Sequence, residues 1–406
     1  MVELLPFKAL RYNSNLPLEK LVAPSYDVIS KEERGKYLNS HQYNITHLTL
    51  GDRIPPDYDA ISELLNGWIK EKILVQEDSA FYLYKQKYEW KGRKKNSYGL
   101  LGVLALKPLG REILPHEHTF SGPKEDRLEI LRHTRANLEP IWGIYEDKGS
   151  ILGSLWSNVE RENAIIKVIS WDEREHTLWK ITDDGVIETI KKFFDDKKIL
   201  IADGHHRYEA SWLFYNETKD EKTKYILILL TDLYDPGIKI LPTHRIVRKD
   251  IDISLEDIEK NFHIILESKK YDELTLIFDS SVPFIYYWCK NKLYKLIPKE
   301  SYLSQKGEGS NLWWILPTTL LQKGVWGGIL GKTENELQQD GYIRFSHDIN
   351  EVKNLLHTGE YSSSFVLPSI PIEIIYALAI NNERLPQKST YFYPKPISGL
   401  ILWKMD

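Results

Sequence analysis

The chain has 406 residues, of which 42% are hydrophobic and 28% are charged, a balance typical of a globular protein with a sizeable core. The formal net charge of -4 excludes a general positive field that would attract nucleic acid or an anionic membrane, and the single cysteine excludes a disulfide framework and a cysteine-rich zinc site. No signal peptide is recognised, and no apolar run approaches the ~18 residues of a membrane span, so the sequence predicts a cytoplasmic protein.

The first part of the chain is predicted to mix helices and strands. Ser30 is a suitable N-cap for a helix that continues through residues 32–34. Alternating hydrophobicity predicts a strand over residues 45–50, and apolar residues at helical spacing predict a helix over residues 58–72. Residues 80–90 and 97–106, joined by the basic turn KGRKKN, have the pattern of a β-hairpin.

A charged stretch follows at residues 116–145, HEHTFSGPKEDRLEILRHTRANLEPIWGIY. A Ser-Gly-Pro turn is predicted to begin a helix over residues 124–137, with a strand over residues 141–145. Arg132 and Arg135 lie one turn apart on this helix, so they form either a cationic clamp for an anion or a solvated face paired with neighbouring acids. The candidate anion-binding residues of the stretch are His116, His118, Lys124, Asp126, Arg127, Arg132, Arg135 and Asn137.

His116 and His118 also form a His-x-His pair of the kind that can ligate a metal. No further ligands follow at a recognisable spacing, so the sequence predicts no metal site.

The stretch around which the chain is organised is residues 198–210, KILIADGHHRYEA. An apolar strand over residues 199–201, an Asp-Gly turn and a helix that begins near His206 are predicted. Helix N-termini expose unpaired amides and a partial positive charge, which favour an anion, above all a phosphate. The candidate catalytic residues at this helix start are Asp203, His205, His206 and Arg207.

Alternating helices and strands on both sides of this stretch predict an α/β fold of mixed sheets with flanking helices. Helices over residues 150–159 and 185–194, with a strand over 164–171 between them, come before it. Strands over residues 225–230 and 238–247 come after it, and the second contains His244 and Arg245 as further candidates. Two α/β regions, residues 1–248 and 249–406, are predicted to pack around one shared site.

Two segments of the C-terminal region contain groups that suit phosphate. Residues 326–333, WGGILGKT, lack the first glycine of a phosphate-binding loop and are predicted to be an ordinary loop. Residues 385–400, LPQKSTYFYPKPISGL, place Lys388, Ser389, Thr390 and Lys395 between prolines. This second segment is either an oxyanion site or a packed C-terminal strand whose lysines face water.

The stretches APSYDVIS, HEHTFSGPKEDR, ADGHHRYEA, LPTHR and LPQKSTYFYPKPISGL together resemble the family catalogued as domain of unknown function ten-fifteen, over essentially the whole chain. The family name implies no activity. The Asp-Gly-His-His-Arg turn also resembles the signature of the ParB/sulfiredoxin superfamily, whose members bind nucleotides or phosphates at this turn and include kinases of free serine and nucleotide-hydrolysing DNA-partition proteins. This second resemblance implies a ParB/sulfiredoxin-like core elaborated by additional α/β segments.

Residue chemistry and resemblance both indicate phosphoryl transfer, in which the protein positions a phosphoryl group and neutralises its charge. Asp203 or His205 is expected to act as general base and His206 as general acid, while a phosphohistidine intermediate stays open. The candidate cationic clamps are Arg207, Lys124, Arg132, Arg135, Arg245 and Lys388.

The leading hypothesis is a phosphatase that hydrolyses phosphoserine in serine biosynthesis. One alternative is a nucleotide-dependent kinase of free serine, for which a nucleotide and Mg²⁺ are the expected cofactors. Another is a ParB-like nucleotide-binding switch or nucleic-acid-associated protein, which the net charge disfavours. The expected partner is therefore a small phosphorylated metabolite, without nucleic acid or membrane, and the oligomeric state stays open.

Overall fold

The computed structural model describes residues 1–117, 121–268, 274, 276–305 and 307–405, and residues 121–123 are described by their backbone alone. His118, one of the predicted candidates, lies outside the described residues. The described chain divides into two compact units. The first takes residues 1–115, 121–239 and 394–405, and the second takes residues 116–117 and 240–393. The predicted boundary at residue 248 and the shared site stay predictions.

The described chain alternates short strands with helices throughout. The strands are β1 Leu4–Leu5, β2 Ala9–Tyr12, β3 Leu74–Gln76, β4 Phe81–Trp90, β5 Arg93–Ala105, β6 Ile113–Pro115, β7 Ala136–Asn137, β8 Ile141–Tyr145, β9 Ile166–Ile169, β10 Glu175–Ile181, β11 Ile199–Asp203, β12 Tyr225–Asp232, β13 Lys239–Leu241, β14 His244–Arg248, β15 Phe262–Leu266, β16 Ile285–Cys289, β17 Lys292–Pro298, β18 Ile343–Ser346, β19 Tyr361–Val366, β20 Tyr391–Tyr393 and β21 Leu402–Lys404.

The α-helices are Leu18–Leu21, Lys31–Leu38, Thr46–Thr49, Tyr58–Lys70, Ser121–Thr134, Ile151–Val159, Asp184–Phe194, His205–Thr218, Leu255–Asn261, Glu300–Leu303, Asn311–Trp314, Pro317–Leu321, Glu334–Gln339, Ile349–His357 and Ile372–Ile380. Tyr26–Val28 and Glu221–Lys224 are 3₁₀ turns, and Gln322–Leu330 is a π-helix. Among the helices of the described residues, none has the length and apolar character needed to cross a bilayer.

The first unit is built on a nine-stranded mixed sheet with the order β6-β11-β8-β12-β5-β4-β10-β9, in which β1 also pairs with β5. Strand β11 runs parallel to β6 and antiparallel to β8. A smaller sheet in the same unit has the order β3-β2-β21-β7. The mixed sheets with flanking helices confirm the predicted fold class.

The second unit contains a six-stranded sheet with the order β15-β17-β16-β19-β14-β18, whose neighbouring strands are all antiparallel. One apolar cluster, centred on fully buried residues such as Phe262, Trp326 and Phe365, packs against this sheet. The unit therefore has a core of its own.

The core of the first unit explains why β11 is a continuous apolar run. Ile199, Leu200 and Ile201 are fully buried, and Ile199 and Ile201 belong to the cluster that also holds Phe81 and Leu100. A strand covered on both faces needs apolar side chains in both directions. Asp203, the last residue of this buried strand, is therefore held in a fixed position at the strand's carboxyl end.

Two predicted elements are wrong. Residues 45–50 were predicted as a strand but contain the helix Thr46–Thr49. The side-chain oxygen of Asn44 accepts hydrogen bonds from the Thr46 amide at 2.9 Å and the Thr46 hydroxyl at 2.6 Å, and this local turn overrides the alternating pattern. The predicted loop at residues 326–333 lies mostly within the π-helix Gln322–Leu330.

Two further predictions were partly wrong. The helix predicted over residues 124–137 ends at Thr134, since Arg135 adopts a φ of +46° and Asn137 lies in β7. The single strand predicted over residues 238–247 divides into β13 and β14 around Pro242, which has no amide hydrogen to give to a sheet. Strand β10 was not predicted.

Candidate active site

The junction between β11 and the helix His205–Thr218 requires glycine. Gly204 has a φ of +90°, and a Cβ atom there would lie 2.8 Å from Ile141 Cγ2 and 3.1 Å from Arg207 Nε. The helix that follows has 14 residues, and its N-cap contributes no capping side chain. Its first-turn amides and its positive dipole end therefore lie beside Asp203.

An ion-pair cluster surrounds Asp203. Its carboxylate accepts hydrogen bonds from Arg207 Nη2 at 2.7 Å and forms an ion pair with Lys395 Nζ at 2.6 Å. Lys395 Nζ also donates to Asp27 Oδ2 at 2.8 Å. One ammonium group, only 12% exposed, thus bridges two carboxylates.

Arg207 connects this bridge to a second acid and to Tyr26. Its Nη1 donates to the Pro140 carbonyl at 2.6 Å and lies 3.7 Å from Glu139 Oε2. Glu139 Oε1 in turn accepts from the Tyr26 amide at 3.1 Å, so the loop that carries Asp27 is tied to the same group.

Arg127 approaches Tyr26 from another direction. Its guanidinium lies 3.9 Å from the centre of the Tyr26 ring, within cation–π range. The same guanidinium pairs with Asp126 and donates to the Thr49 carbonyl at 2.9 Å. We call the seven ionised side chains described so far the Lys395 cluster: Asp27, Asp126, Arg127, Glu139, Asp203, Arg207 and Lys395.

Electrostatic effects keep Asp27 and Lys395 charged. Burial works against ionisation of Asp27, but Lys395 and Arg207 outweigh it and hold the pKa of this carboxyl below its usual range. Solvent reduces this effect, since 37% of the Asp27 side chain is exposed. Burial opposes the charge of Lys395 as well, but Asp203 and Asp27 raise its pKa.

Tyr26 differs from its neighbours in being neutral. Burial raises the pKa of its hydroxyl to about 12, even though Arg127 and Arg207 favour the phenolate. The ring therefore contributes an aromatic surface and a hydrogen-bonding hydroxyl at physiological pH, but no charge.

The Lys395 cluster contains four carboxylates and three cations, so it has one negative charge in excess. Within the part of the chain that the structure describes, no group of three or more His, Cys, Asp or Glu side chains is arranged to hold a metal ion. A divalent cation at this site would therefore need oxygen ligands from a substrate as well as from the protein.

A cavity of about 30 Å³ adjoins the cluster and is lined by Arg207, Glu139, Asn137 and Ser211, among others. Arg207 Nε is buried beside it and has no hydrogen-bond partner among the described residues. The volume suits a single water molecule rather than a metabolite.

Five predicted candidates meet in this cluster: Asp126, Arg127, Asp203, Arg207 and Lys395. The predicted His205 and His206 lie in the first turn of the adjoining helix and are partly buried. Sequence reasoning did not select Asp27, Tyr26 or Glu139 as site residues. The available signal was the polar Tyr-Asp pair in the loop APSYDVIS, before a capped helix.

Several other candidates of the first unit have structural partners instead. Arg132 is paired with Glu125, Glu129 and Glu217, and Arg135 with Asp220, so they form the solvated ion pairs that the sequence left as one of two possibilities. Lys124 lies 3.7 Å from Glu209. Asn137 accepts a hydrogen bond from the Leu227 amide at 2.7 Å, which ties β7 to β12.

The candidates of the second unit form two groups of contacts. His116 Nε2 lies 2.8 Å from Thr390 Oγ1, and the amides of Ser389 and Thr390 both donate to Glu117 Oε1. Lys388 is exposed and has a φ of +55°.

The second group is buried in the sheet. Arg245 is fully buried and makes a bidentate ion pair with Glu334 at 3.0 and 2.7 Å. Burial lowers the pKa of His244 to about 3, and its neutral Nδ1 accepts from the Leu367 amide at 3.2 Å. Both side chains therefore have partners within the protein, and their anion-binding role stays a prediction.

Comparison with known proteins identifies one family. Residues 4–319 match the profile of the family described as "Protein of unknown function (DUF1015)". The match includes four of the five stretches that carry the resemblance, whereas LPQKSTYFYPKPISGL lies beyond it. No curated protein matches the chain significantly.

Solved structures show distant similarity. A conserved hypothetical protein from Pyrococcus furiosus is 15% identical, with a TM-score of 0.38, over 72% of this chain and 92% of that one. A free serine kinase in complex with AMP is 13% identical, with a TM-score of 0.38, over 71% of this chain and 89% of that one.

SbnI from Staphylococcus aureus, truncated at its C-terminus, is 10% identical, with a TM-score of 0.39, over 74% of this chain and 85% of that one. Similarity this distant does not assign a function. The resemblance of the Asp-Gly-His-His-Arg turn to the ParB/sulfiredoxin superfamily stays a prediction.

Proposed function

We propose that this chain, which belongs to the DUF1015 family, is a kinase that transfers a phosphoryl group from a magnesium nucleotide to the hydroxyl of a small metabolite, with free serine as the first substrate to test. The observation that carries the proposal is the ammonium of Lys395 bridging Asp27 and Asp203 beside the start of a 14-residue helix. Carboxylates, cations and a helix N-terminus are the groups that phosphoryl transfer requires.

Asp27 is the carboxylate best placed to act as general base. It is 37% exposed, whereas Asp203 is 14% exposed and is held by both Arg207 and Lys395. In the proposed step, Asp27 accepts the hydroxyl proton while the substrate oxygen bonds to the terminal phosphorus, and the bond from that phosphorus to the nucleotide oxygen breaks. Lys395, Arg207 and the helix start stabilise the charge on the phosphoryl oxygens, and His206 is the candidate donor to the leaving oxygen.

The charge of the cluster favours a nucleotide that arrives with a metal ion. Each of the three cations is already paired with a carboxylate, and the cluster has one negative charge in excess. An uncomplexed phosphomonoester dianion would add to that charge. Asp203 and the nucleotide phosphates would supply hard oxygen ligands of the type Mg²⁺ uses, and the ion would supply the positive charge that those phosphates need there.

The same reasoning makes hydrolysis of phosphoserine, the leading hypothesis from sequence, the second choice. A phosphatase that uses no metal ion would have to bind its dianionic substrate against this negative charge. Neutral or zwitterionic serine has no such difficulty, because the phosphoryl group comes from the metal-bound nucleotide.

The test is a phosphoryl-transfer assay on the full chain. Purified protein is incubated with serine, Mg²⁺ and either ATP or ADP, and phosphoserine and the nucleotide products are quantified by ³¹P NMR. We expect Asp27→Asn to lower kcat on the order of 10²–10⁴-fold, because it removes the general base but preserves the shape of the side chain. Asp340→Asn is the matched control, since it removes an ion-paired carboxylate outside the Lys395 cluster.

Two outcomes would contradict the proposal. Phosphate release from phosphoserine without nucleotide, lost in Asp27→Asn, would identify a phosphatase. Nucleotide binding with no product from serine or other small hydroxyl metabolites would indicate a nucleotide-dependent switch.

A further inference from the structure

The backbone that carries Lys395 is held from behind by two polar side chains of the nine-stranded sheet. Arg174, just before β10, donates from Nη1 to the Lys395 carbonyl at 2.8 Å and to Gln86 Oε1 at 3.0 Å. Gln86, on β4, donates from Nε2 to the Pro394 carbonyl at 3.3 Å. Gln86 is 2% exposed and Arg174 is 7% exposed, so both hydrogen-bond the loop from inside the protein.

A chain of hydrogen bonds fixes Arg174 in turn. Asp172 accepts from Arg174 Nε at 2.6 Å and from the Ser170 hydroxyl at 2.5 Å. His176 Nε2 lies 2.8 Å from Ser170 Oγ, and the Tyr84 hydroxyl lies 2.6 Å from His176 Nδ1.

The protonation state of His176 determines which atom donates and which accepts in each hydrogen bond of this chain. Burial and the neighbouring Arg174 lower the pKa of His176 to about 3, so its ring is neutral. Since Ser170 gives its proton to Asp172, it must accept from His176 Nε2–H, and Nδ1 then accepts from Tyr84. Every donor from Tyr84 to Arg174 therefore has an acceptor.

Burying such a chain of polar and charged groups carries a desolvation penalty. Apolar residues of similar size are often as stabilising as a buried ion pair, so stability alone does not explain these groups. What they add is directionality, because each hydrogen bond fixes the orientation of the next group. The end point of that orientation is the carbonyl of Lys395.

We propose that Arg174, together with Gln86, is a positioning residue that fixes the backbone of Lys395 and so keeps its ammonium between Asp27 and Asp203. The inference rests on the proposed function, since the bridge is the observation that carries the kinase proposal. Its physical basis is preorganisation: a cation already in place costs no rearrangement when charge develops on a phosphoryl group.

The position of Lys395 can be measured without any assay of activity. The native protein is treated at pH 8 with an amine-acylating reagent, and the labelling rate of each lysine is followed by mass spectrometry. Wild-type Lys395 is expected to react slowly, because it is 12% exposed and ion-paired. Lys85, on the same strand as Gln86 but with its side chain on the opposite face, pairs with Glu160 at 2.6 Å and is the internal reference.

Three variants test the contact. Arg174→Met removes the donor to Lys395, Gln86→Leu removes the donor to Pro394 without unpairing an acid, and Arg174→Lys retains one charged donor. We expect Lys395 to label about tenfold faster than wild type for each unit by which its pKa falls in Arg174→Met, with a smaller rise in Gln86→Leu and partial recovery in Arg174→Lys. Lys85 is expected to react at the same rate throughout.

Arg34→Met is the matched control variant. Arg34 donates to the carbonyls of Leu50, Gly51 and Arg53, so it holds the backbone of a different loop in the same unit. Its loss is expected to leave the labelling of Lys395 unchanged. Circular dichroism establishes that each variant is folded before labelling, and Gln86→Leu decides the question if Arg174→Met does not fold.

The outcomes separate this inference from the proposed function. Unchanged labelling of Lys395 in a folded Gln86→Leu or Arg174→Met variant overturns the positioning role, whatever the activity. Faster labelling in the variants with no phosphoryl transfer in the wild type supports the positioning role and refutes the kinase proposal. Where the wild type is active, kcat in Arg174→Met is expected to fall on the order of 10–100-fold while KM for serine changes little.

Discussion

Replacing Gly204 with alanine should destabilise the first unit by an amount that the structure allows to be divided into two parts. The positive φ of +90° costs an alanine about 1–2 kcal/mol. The new Cβ would also lie 2.8 and 3.0 Å from side-chain atoms of Ile141, a β-branched residue of a central strand, and such overpacking costs about 1–3 kcal/mol. The expected loss is therefore about 2–5 kcal/mol.

The assay is equilibrium unfolding in urea, followed by circular dichroism. Gly92→Ala provides the comparison, because Gly92 has a φ of +73° in the same unit but no atom within 4 Å of its ideal Cβ position. It should cost only the conformational part, about 1–2 kcal/mol. Equal losses in the two variants would refute the claim that close approach to Ile141 requires glycine at residue 204.

Three further predictions concern buried charges and can be measured by the same unfolding experiment. Lys395→Met should lower the free energy of unfolding by about 3 kcal/mol at pH 7, since it leaves Asp27 without its ammonium partner and Asp203 with Arg207 alone. The difference from wild type should shrink at pH 4 as carboxylates protonate, and a constant difference would contradict this. Arg245→Met should lower the free energy of unfolding by about 3–5 kcal/mol because it leaves Glu334 buried and unpaired. The double variant with Glu334→Leu should recover most of this loss, and no recovery would show that the ion pair itself is needed. The pKa of His176 is about 3 in the folded protein against an ordinary 6.5, so the folded state favours the neutral ring, and the stability that this gives is complete above pH 6.5 and is lost as the pH falls towards 3. The free energy of unfolding of the wild type should therefore fall by about 2 kcal/mol more than that of His176→Asn between pH 7 and pH 5. Equal losses in the two proteins would refute the lowered pKa.

Local signals were sufficient for the elements that lead to the site. The apolar run before Asp203, the glycine after it and the amphipathic segment that follows predicted strand β11 and the helix His205–Thr218. Ser30 caps its helix as expected and forms a capping box with Glu33. In these cases the residues that determine the structure are neighbours in sequence.

Elements that depend on distant partners were missed or misassigned. Strand β10 contains charged and polar residues, including Lys180, which pairs with Glu77 at 2.9 Å, and its strand character depends on pairing with β4. The short strand β21 needs Leu10 and Asn137, hundreds of residues earlier, to complete a sheet. Hydrophobic periodicity within a short window does not contain this information.

The site shows the same division. Asp203 and Arg207 are four positions apart in sequence and were predicted together, whereas Asp27 and Lys395 are 368 positions apart. Lys388 and Lys395 were predicted as one segment because they lie close in sequence. Lys388 belongs to the second unit, which ends at residue 393, whereas Lys395 belongs to the first unit, which resumes at residue 394. Only the folded chain reveals which of the two lysines belongs to the Lys395 cluster.

The return of residues 394–405 to the first unit has a consequence for the order in which the protein matures. On the ribosome, the chain emerges from its N-terminus, so Asp27, Glu139, Asp203 and Arg207 are all available long before Lys395. A nascent chain that has not reached residue 395 has two facing carboxylates without the ammonium between them, and its small sheet lacks β21. The Lys395 cluster is therefore completed only when residue 395 has been synthesised, and a product that stops before it is both less stable and without the proposed catalytic site.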